Sequence, residues 1–159
     1  MKIWKILKWL LVSSIVFFLV VPLVINIIEN LFPTKSNITH LLKEEDIALF
    51  DDFEIIRYRK EFTVFQESFS IKISDNDKKR IVNRLISSEN FKENVDAMYD
   101  IRQEIPRFSN KHMIYTSSYK FGGVYGFQSF KTEDYGYAPD WIMIDIPENG
   151  NILNYDKFE

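Results

Sequence analysis

From Trp9 to Ile28 the chain carries no charged residue, and its apolar positions leave no polar face. A helix that is apolar all round belongs in a core or in a bilayer, not on a protein surface. Twenty residues at about 1.5 Å rise span about 30 Å, the thickness of a bilayer's hydrocarbon core. The pattern predicts a transmembrane helix over about 9–28 within an anchor segment 1–30. Trp4 and Trp9 suit the near interface as amphipathic rings, and Pro22 and Asn26 are tolerated in a spanning helix. A cleaved secretion signal needs a shorter apolar run and a small-x-small cut site. No alanine precedes Ala48, and the best cut site, Thr34-Lys35-Ser36, is late and chemically poor. A core helix of a soluble protein is the bland alternative, and the length of the run weighs against it.

Behind the anchor, "ENLFPTKSNITH" reads as a stalk over 31–40, because Pro33 stops the helix and Thr, Ser and Asn cluster after it. A domain over 41–159 follows, with room for a short helical turn around Leu41 to Phe50. Residues 53–59 and 68–74 are aromatic and β-branched, and Phe69, Ile71 and Ile73 alternate with polar neighbours, the period of a half-buried strand. Ser74 with Asp77 three residues on forms a capping arrangement. Ile81, Val82, Leu85 and Ile86 then make one apolar face, predicting a helix over about 75–87. Val95, Met98, Tyr99 and Arg102 suggest a second helix over about 91–104, closed by Pro106.

Beyond it the pattern turns to strands. "HMIYTSSYKF" and "VYGFQSF" flank Gly122-Gly123, and "DWIMIDI" and "NILNYDKF" flank a turn at Asn149-Gly150. The expected fold class is α+β: an N-terminal transmembrane helix, then a small antiparallel β-sheet with one or two helices packed on one face.

Charge orients the anchor. Lys2, Lys5 and Lys8 precede the apolar run, and the far side begins with Glu29, so the N-terminus is expected in the cytoplasm and the domain outside the cell membrane. Once those three are set aside, 17 of the 20 basic residues remain against all 23 acidic ones. An acidic domain with scattered cations has no electrostatic footprint for nucleic acid. The absence of cysteine removes disulfides, thiolate nucleophiles, cysteine-ligated metal and a lipid-modified cysteine together.

Candidate chemistry is sparse. His40 and His112 are the only histidines and no His-x-x-x-His occurs, so no metal site and no cofactor are expected. Ser117-Ser118-Tyr119-Lys120 and Ser74-Asp75-Asn76 match elements of penicillin-binding enzymes. The first falls on a strand where that chemistry needs a helix start, and the two occur in the wrong order. Asp75-Asn76-Asp77 lacks the later oxygens of a calcium loop and reads as acids at a helix N-terminus.

"FGGVYG" is followed by a strand, not by the helix that a phosphate cradle requires. Glu133, Asp134, Asp140 and Asp145 lie on or beside a long loop. Of these, Asp145 shares a strand face with Trp141 and Met143.

The C-terminal half is crowded with aromatics, and most are expected to fill the sheet core. Tyr135, Tyr137 and Trp141, however, bracket a loop with Gly136 and Pro139, a composition typical of contact surfaces. Tyr135, Tyr137, Trp141 and Asp145 are therefore the candidate binding residues. The expected function is a single-pass, membrane-anchored extracytoplasmic domain that recognises a protein partner in the cell envelope, as an immunity-type protein or an envelope-complex subunit. The alternatives are a small anchored hydrolase using loop carboxylates and a purely structural envelope protein.

Overall fold

A computed structural model describes residues 4, 8–9, 13–24, 33–61, 66–93, 95, 113–132 and 140–158. The chain divides into two compact units, Met1–Ile38 and Thr39–Glu159. In the first, residues 13–24 are helical, with a π-helical stretch at Val16–Val20. Every large apolar side chain there, from Ile15 to Val24, is exposed, and Phe17 and Phe18 meet edge to face at 5.6 Å. Among the described residues no helix is long and apolar enough to cross a membrane.

Helix α1, Lys35–Glu44, occupies most of the segment expected to be a stalk. The polar cluster that suggested a linker is a helix start. The Thr34 hydroxyl accepts from the Asn37 N–H at 3.2 Å, and the Thr34 carbonyl accepts from the Ile38 N–H at 3.2 Å. Such caps satisfy amides that a first helical turn leaves without partners. The helix closes where Asp46 takes a left-handed conformation (φ +58°) and the Ile47 N–H reaches back to the Leu42 carbonyl at 2.8 Å. Leu42 and Ile47 are both buried beside this closure, and only residues 41–44 of the expected turn at 41–50 are helical.

Seven strands form one sheet: β1 (Glu54–Glu61), β2 (Gln66–Lys72), β3 (Phe91–Lys92), β4 (Met113–Phe121), β5 (Val124–Thr132), β6 (Asp140–Pro147) and β7 (Ile152–Phe158). Their spatial order is β1-β2-β7-β6-β5-β4-β3. All neighbours are antiparallel except β3 and β4. β3 corrects the start of the expected second helix, since residues 91–92 are strand; most of the remaining span to 104 lies outside the described residues. The edge of β4 offers unpaired backbone groups. Phe91 and Lys92 take them opposite Ser118 and Tyr119, and the Val95 N–H extends the contact to the Lys120 carbonyl at 3.2 Å. Strand pairing outweighed the weak helical periodicity there.

Helix α2, Asp75–Ile86, matches its sequence signal closely. The Ser74 hydroxyl accepts from the Asp77 N–H at 3.0 Å and donates to the Asp51 carboxylate at 2.5 Å. Asp77, 1 % exposed, accepts from the backbone N–H groups of Phe50 and Asp51 at 3.1–3.2 Å and pairs with Arg80. Those bonds fasten the segment after α1 onto the start of α2. Lys78 donates to the carbonyls of Glu148 and Gly150, at 2.7 and 2.5 Å, so the same helical turn holds the β6–β7 connection. That connection spans 148–151, longer than the two-residue turn expected, with Gly150 at φ +98°.

Ile81 and Leu85 of α2 are buried where the helix lies over β4 and β5. The sheet face on the α2 side carries Phe69, Ile71, Phe127, Ile142, Ile144, Ile146, Leu153 and Tyr155, all buried. Phe69 and Tyr155 stack across β2 and β7 at 4.5 Å and 8°. At the outer edge β1 is mostly exposed and bears Arg57, Arg59 and Lys60, charges that discourage a further strand from adding.

Candidate functional site

The strand period places a second set of side chains on the sheet face away from α2. The register draws them into rows. Tyr115, Phe130, Trp141 and Phe158 lie opposite one another across β4, β5, β6 and β7. Two residues along each strand come Ser117, Gln128, Met143 and Asp156, and then Tyr119, Gly126, Asp145 and Asn154.

The first row is an aromatic stripe. Trp141 stacks on Phe158 at 5.1 Å and 28°, and Tyr115 and Trp141 pack against the buried Phe130. Tyr115, Trp141 and Phe158 are each half-buried, so their rings are anchored yet accessible at one edge. Trp141 was anticipated as a binding residue. Tyr135 and Tyr137, named with it, lie outside the described residues, as do Glu133 and Asp134.

The third row explains Gly126. The Tyr119 ring lies flat over this glycine, where a Cβ would fall 2.6 Å from two ring carbons. Only a residue without a side chain lets the ring settle there. Tyr119 is thereby buried to 2 % exposure, with its hydroxyl 3.4 Å from Asp145 Oδ1, a long donor distance. Burial, and then the Asp145 charge, push the Tyr119 hydroxyl up to about 12, so it stays protonated and donates.

Asp145, the second anticipated residue that the structure describes, shares this face with Asp156. Its carboxyl is pushed up to about 6, chiefly by burial and then by the negative charge of Asp156, while the bond from Tyr119 pulls the other way. Asp156 is itself raised, first by burial, with Gln66 and Arg57 opposing. The two carboxylates are diagonal neighbours on one face, and burial with the nearby like charge makes Asp145 hold a proton more readily than a free aspartate.

Sequence reasoning missed Asp156, Tyr119 and Gly126 as partners of Asp145. Alternation in "NYDKF" was the available signal, and it gives a face but not the neighbours on that face. Asp140 pairs with Lys157 at 3.7 Å and is not part of this set. Ser117 and Lys120 sit on β4 with an odd spacing that sends them to opposite faces, and Lys120 donates to Glu148 at 3.0 Å. That separates the serine–lysine pair. His40 is exposed, 3.4 Å from Glu44, and His112 lies outside the described residues. Among the described residues no group of three or more His, Asp or Glu is disposed to hold a metal ion.

The arrangement can do two things chemically. The stripe offers a rigid apolar contact of the kind that anchors a protein partner. The Asp145–Asp156 pair offers a proton source near neutral pH. No protein-family model, curated protein or solved structure matches the chain.

Proposed function

We propose that the protein is a single-pass membrane protein, N-terminus in the cytoplasm, whose domain 41–159 recognises a protein partner outside the cell membrane. The partner belongs to the cell envelope, and the role is that of an immunity-type protein or an envelope-complex subunit. The anchoring half of this reading is supported by the uncharged run Trp9 to Ile28 behind Lys2, Lys5 and Lys8. It is also supported by the unbroken exposure of apolar side chains from Ile15 to Val24, which need lipid or protein to cover them. The recognition half rests on one observation: the half-buried stripe of Tyr115, Trp141 and Phe158 backed by Phe130, with aromatic and tryptophan content typical of binding hot spots.

The test pairs topology with capture. A periplasm-dependent reporter fused after Glu159 is expected to be active. Capture from membranes by the full-length chain is expected to yield a partner that is lost on Trp141→Ser with Phe158→Ala. A reporter active only in the cytoplasm overturns the topology. A partner retained by the doubly substituted chain overturns the stripe as its site.

The Asp145–Asp156 pair favours a second reading, a small anchored hydrolase in which Asp145 serves as general acid. Turnover of an envelope substrate that Asp145→Asn abolishes, with no partner recovered, would establish it over the first.

A further inference from the structure

The two edges of the sheet are defended unequally. At β1 the outer edge carries Arg57, Arg59 and Lys60 and a break in register between Ile55 and Arg57, devices that keep further strands away. At the other edge β3 lies opposite only Ser118 and Tyr119 of β4, and the Asn90 side chain donates to the Thr116 carbonyl at 3.2 Å. The first half of β4, Met113 to Thr116, has no such cover among the described residues. Met113 and Ile114 are 41 % and 59 % exposed, Thr116 is exposed as well, and none of the four residues is charged.

Register decides which main-chain groups are on offer there. Phe121 and Val124 close the two-residue hairpin, so odd-numbered residues of β4 turn their N–H and C=O toward β5 and even-numbered ones turn them outward. The bond from the Val95 N–H to the Lys120 carbonyl follows that alternation. Among the described residues, the Ile114 N–H and C=O and the Thr116 N–H are left pointing outward without a partner.

These groups open beside a cavity of about 530 Å³ on the α2 side of the sheet, between the C-terminal ends of α1 and α2 and the strands β4 and β5. Ile114 and Thr116 form its side nearest the sheet edge, and Ile47, Leu85 and Phe127 give it apolar walls. A strand added to β4 would place the side chain opposite Ile114 on this same face, about 5 Å away and at the cavity mouth.

Charge selects that side chain. Lys131 donates to the buried Glu45 carboxylate at 2.7 Å, and Arg84 donates to the carbonyls of Glu45 and Asp46, so both lining cations are engaged within the protein. The Glu44 and Asp46 side chains at the rim are exposed, and α1 and α2 both turn their negative ends toward the space. A lysine or arginine suits this setting, with an apolar stem against Ile114 and Phe127 and a cation at the rim.

We propose that the open half of β4, Met113–Thr116, pairs antiparallel with an extended segment of a partner protein whose lysine or arginine lies opposite Ile114, stem in the cavity and cation at the Glu44–Asp46 rim. Main-chain bonds at the edge supply the attachment and the cavity supplies the choice of side chain. This docking edge goes beyond the aromatic stripe, which occupies the other face of the sheet, and either can fail without the other.

The test is chemical-shift mapping on the full-length, nitrogen-15-labelled chain in nanodiscs of zwitterionic lipid, which do not themselves attract a cationic peptide. The probe is acetyl-Thr-Val-Lys-Val-Thr-amide, expected to shift the amides of Ile114, Tyr115, Thr116 and Lys131 at millimolar concentration. Methylating the lysine main-chain nitrogen of the probe removes the donor to the Ile114 carbonyl and is expected to weaken the response about tenfold, as is replacing that lysine with glutamate. Thr116→Pro deletes an outward N–H while leaving the ladder to β5 intact, and is expected to cost the probe about tenfold. Should Thr116→Pro not fold, Glu44→Gln with Asp46→Asn is expected to weaken binding about three- to fivefold. Four results overturn the proposal: no localised shift at millimolar probe, equal binding of the methylated probe, equal binding of the glutamate probe, or shifts of the same amides with chain concentration alone, which would give the edge to a second copy.

Discussion

Replacing Gly126 with alanine tests the site face at its tightest point. The new Cβ would stand 2.6 Å from two carbons of the Tyr119 ring, where ordinary contact begins near 3.4 Å. The ring must lift by roughly 1 Å, and close packing leaves it little room, because Tyr119 is 2 % exposed. Overpacking of this kind costs about 1–3 kcal/mol. Weakening the long bond from the tyrosine hydroxyl to Asp145 adds about 0.5 kcal/mol at the low end of such losses. Reduced freedom of the unfolded chain returns about 0.4–1 kcal/mol. The net expectation is a destabilisation of about 1–3 kcal/mol, read as a lower urea midpoint by near-ultraviolet circular dichroism.

The assignment to the ring is checked by a double-mutant cycle. In a Tyr119→Ala background the obstruction is gone, and Gly126→Ala should then be neutral or stabilising by up to about 1 kcal/mol. Equal destabilisation in both backgrounds would refute the ring-on-glycine account, as would no effect in the parent chain.

Other substitutions probe different parts of the domain. Asp145 has a folded-state pKa of about 6 against an ordinary value of 3.8, so the folded state holds this proton more tightly than the unfolded one. The stability this provides is complete below about pH 4 and is lost as pH rises through about 6. Asp145→Asn should therefore match the parent near pH 4 and exceed it by about 2–3 kcal/mol at pH 7.5, and a difference independent of pH would contradict the burial of this carboxyl. Asp77→Ala strands the backbone N–H donors of Phe50 and Asp51 and removes the ion pair with Arg80. It should cost about 3–5 kcal/mol in denaturant unfolding, and a loss under about 1 kcal/mol would show that the carboxylate does not fasten the segment. Tyr155→Phe removes a buried hydroxyl that has no partner while keeping the stack on Phe69. Its midpoint should be unchanged or raised by up to about 1 kcal/mol, and a clear fall would mean the hydroxyl is paired.

What could be read from the chain depended on the range of the interaction. Helix α2 was legible because its signals are local: Ser74 as cap, acids in the first turn, Ile81 and Leu85 one turn apart. The β4–β5 hairpin was legible for the same reason, since Gly122 and Gly123 supply the two positive φ values, +54° and +76°, that the turn requires. Helix α1 was missed although its cap is equally local, because Pro33 and the polar cluster after it look alike in a linker and in a helix start. The pairing of β2 with β7 joins residues eighty or more positions apart, and no period in either strand announces it. The site suffered most from this. Alternation placed Asp145 beside Trp141 and Met143, but Asp156 and Tyr119 arrive from other strands by register alone.

The place of β7 has a consequence for how the domain is made. Among the described residues the β1–β2 hairpin joins the rest of the sheet through β7 alone. As the chain emerges from N-terminus to C-terminus, β2 appears early with one edge satisfied by β1 and the other bare, and that edge carries Phe69 and Ile71. It must wait until Ile152 to Phe158 have been delivered before its backbone is paired and Phe69 finds Tyr155. During that interval the nascent domain has an open, apolar strand edge, the condition that invites mispairing with a neighbouring chain. A tether that keeps copies apart would then protect the newborn domain as much as it positions the finished one.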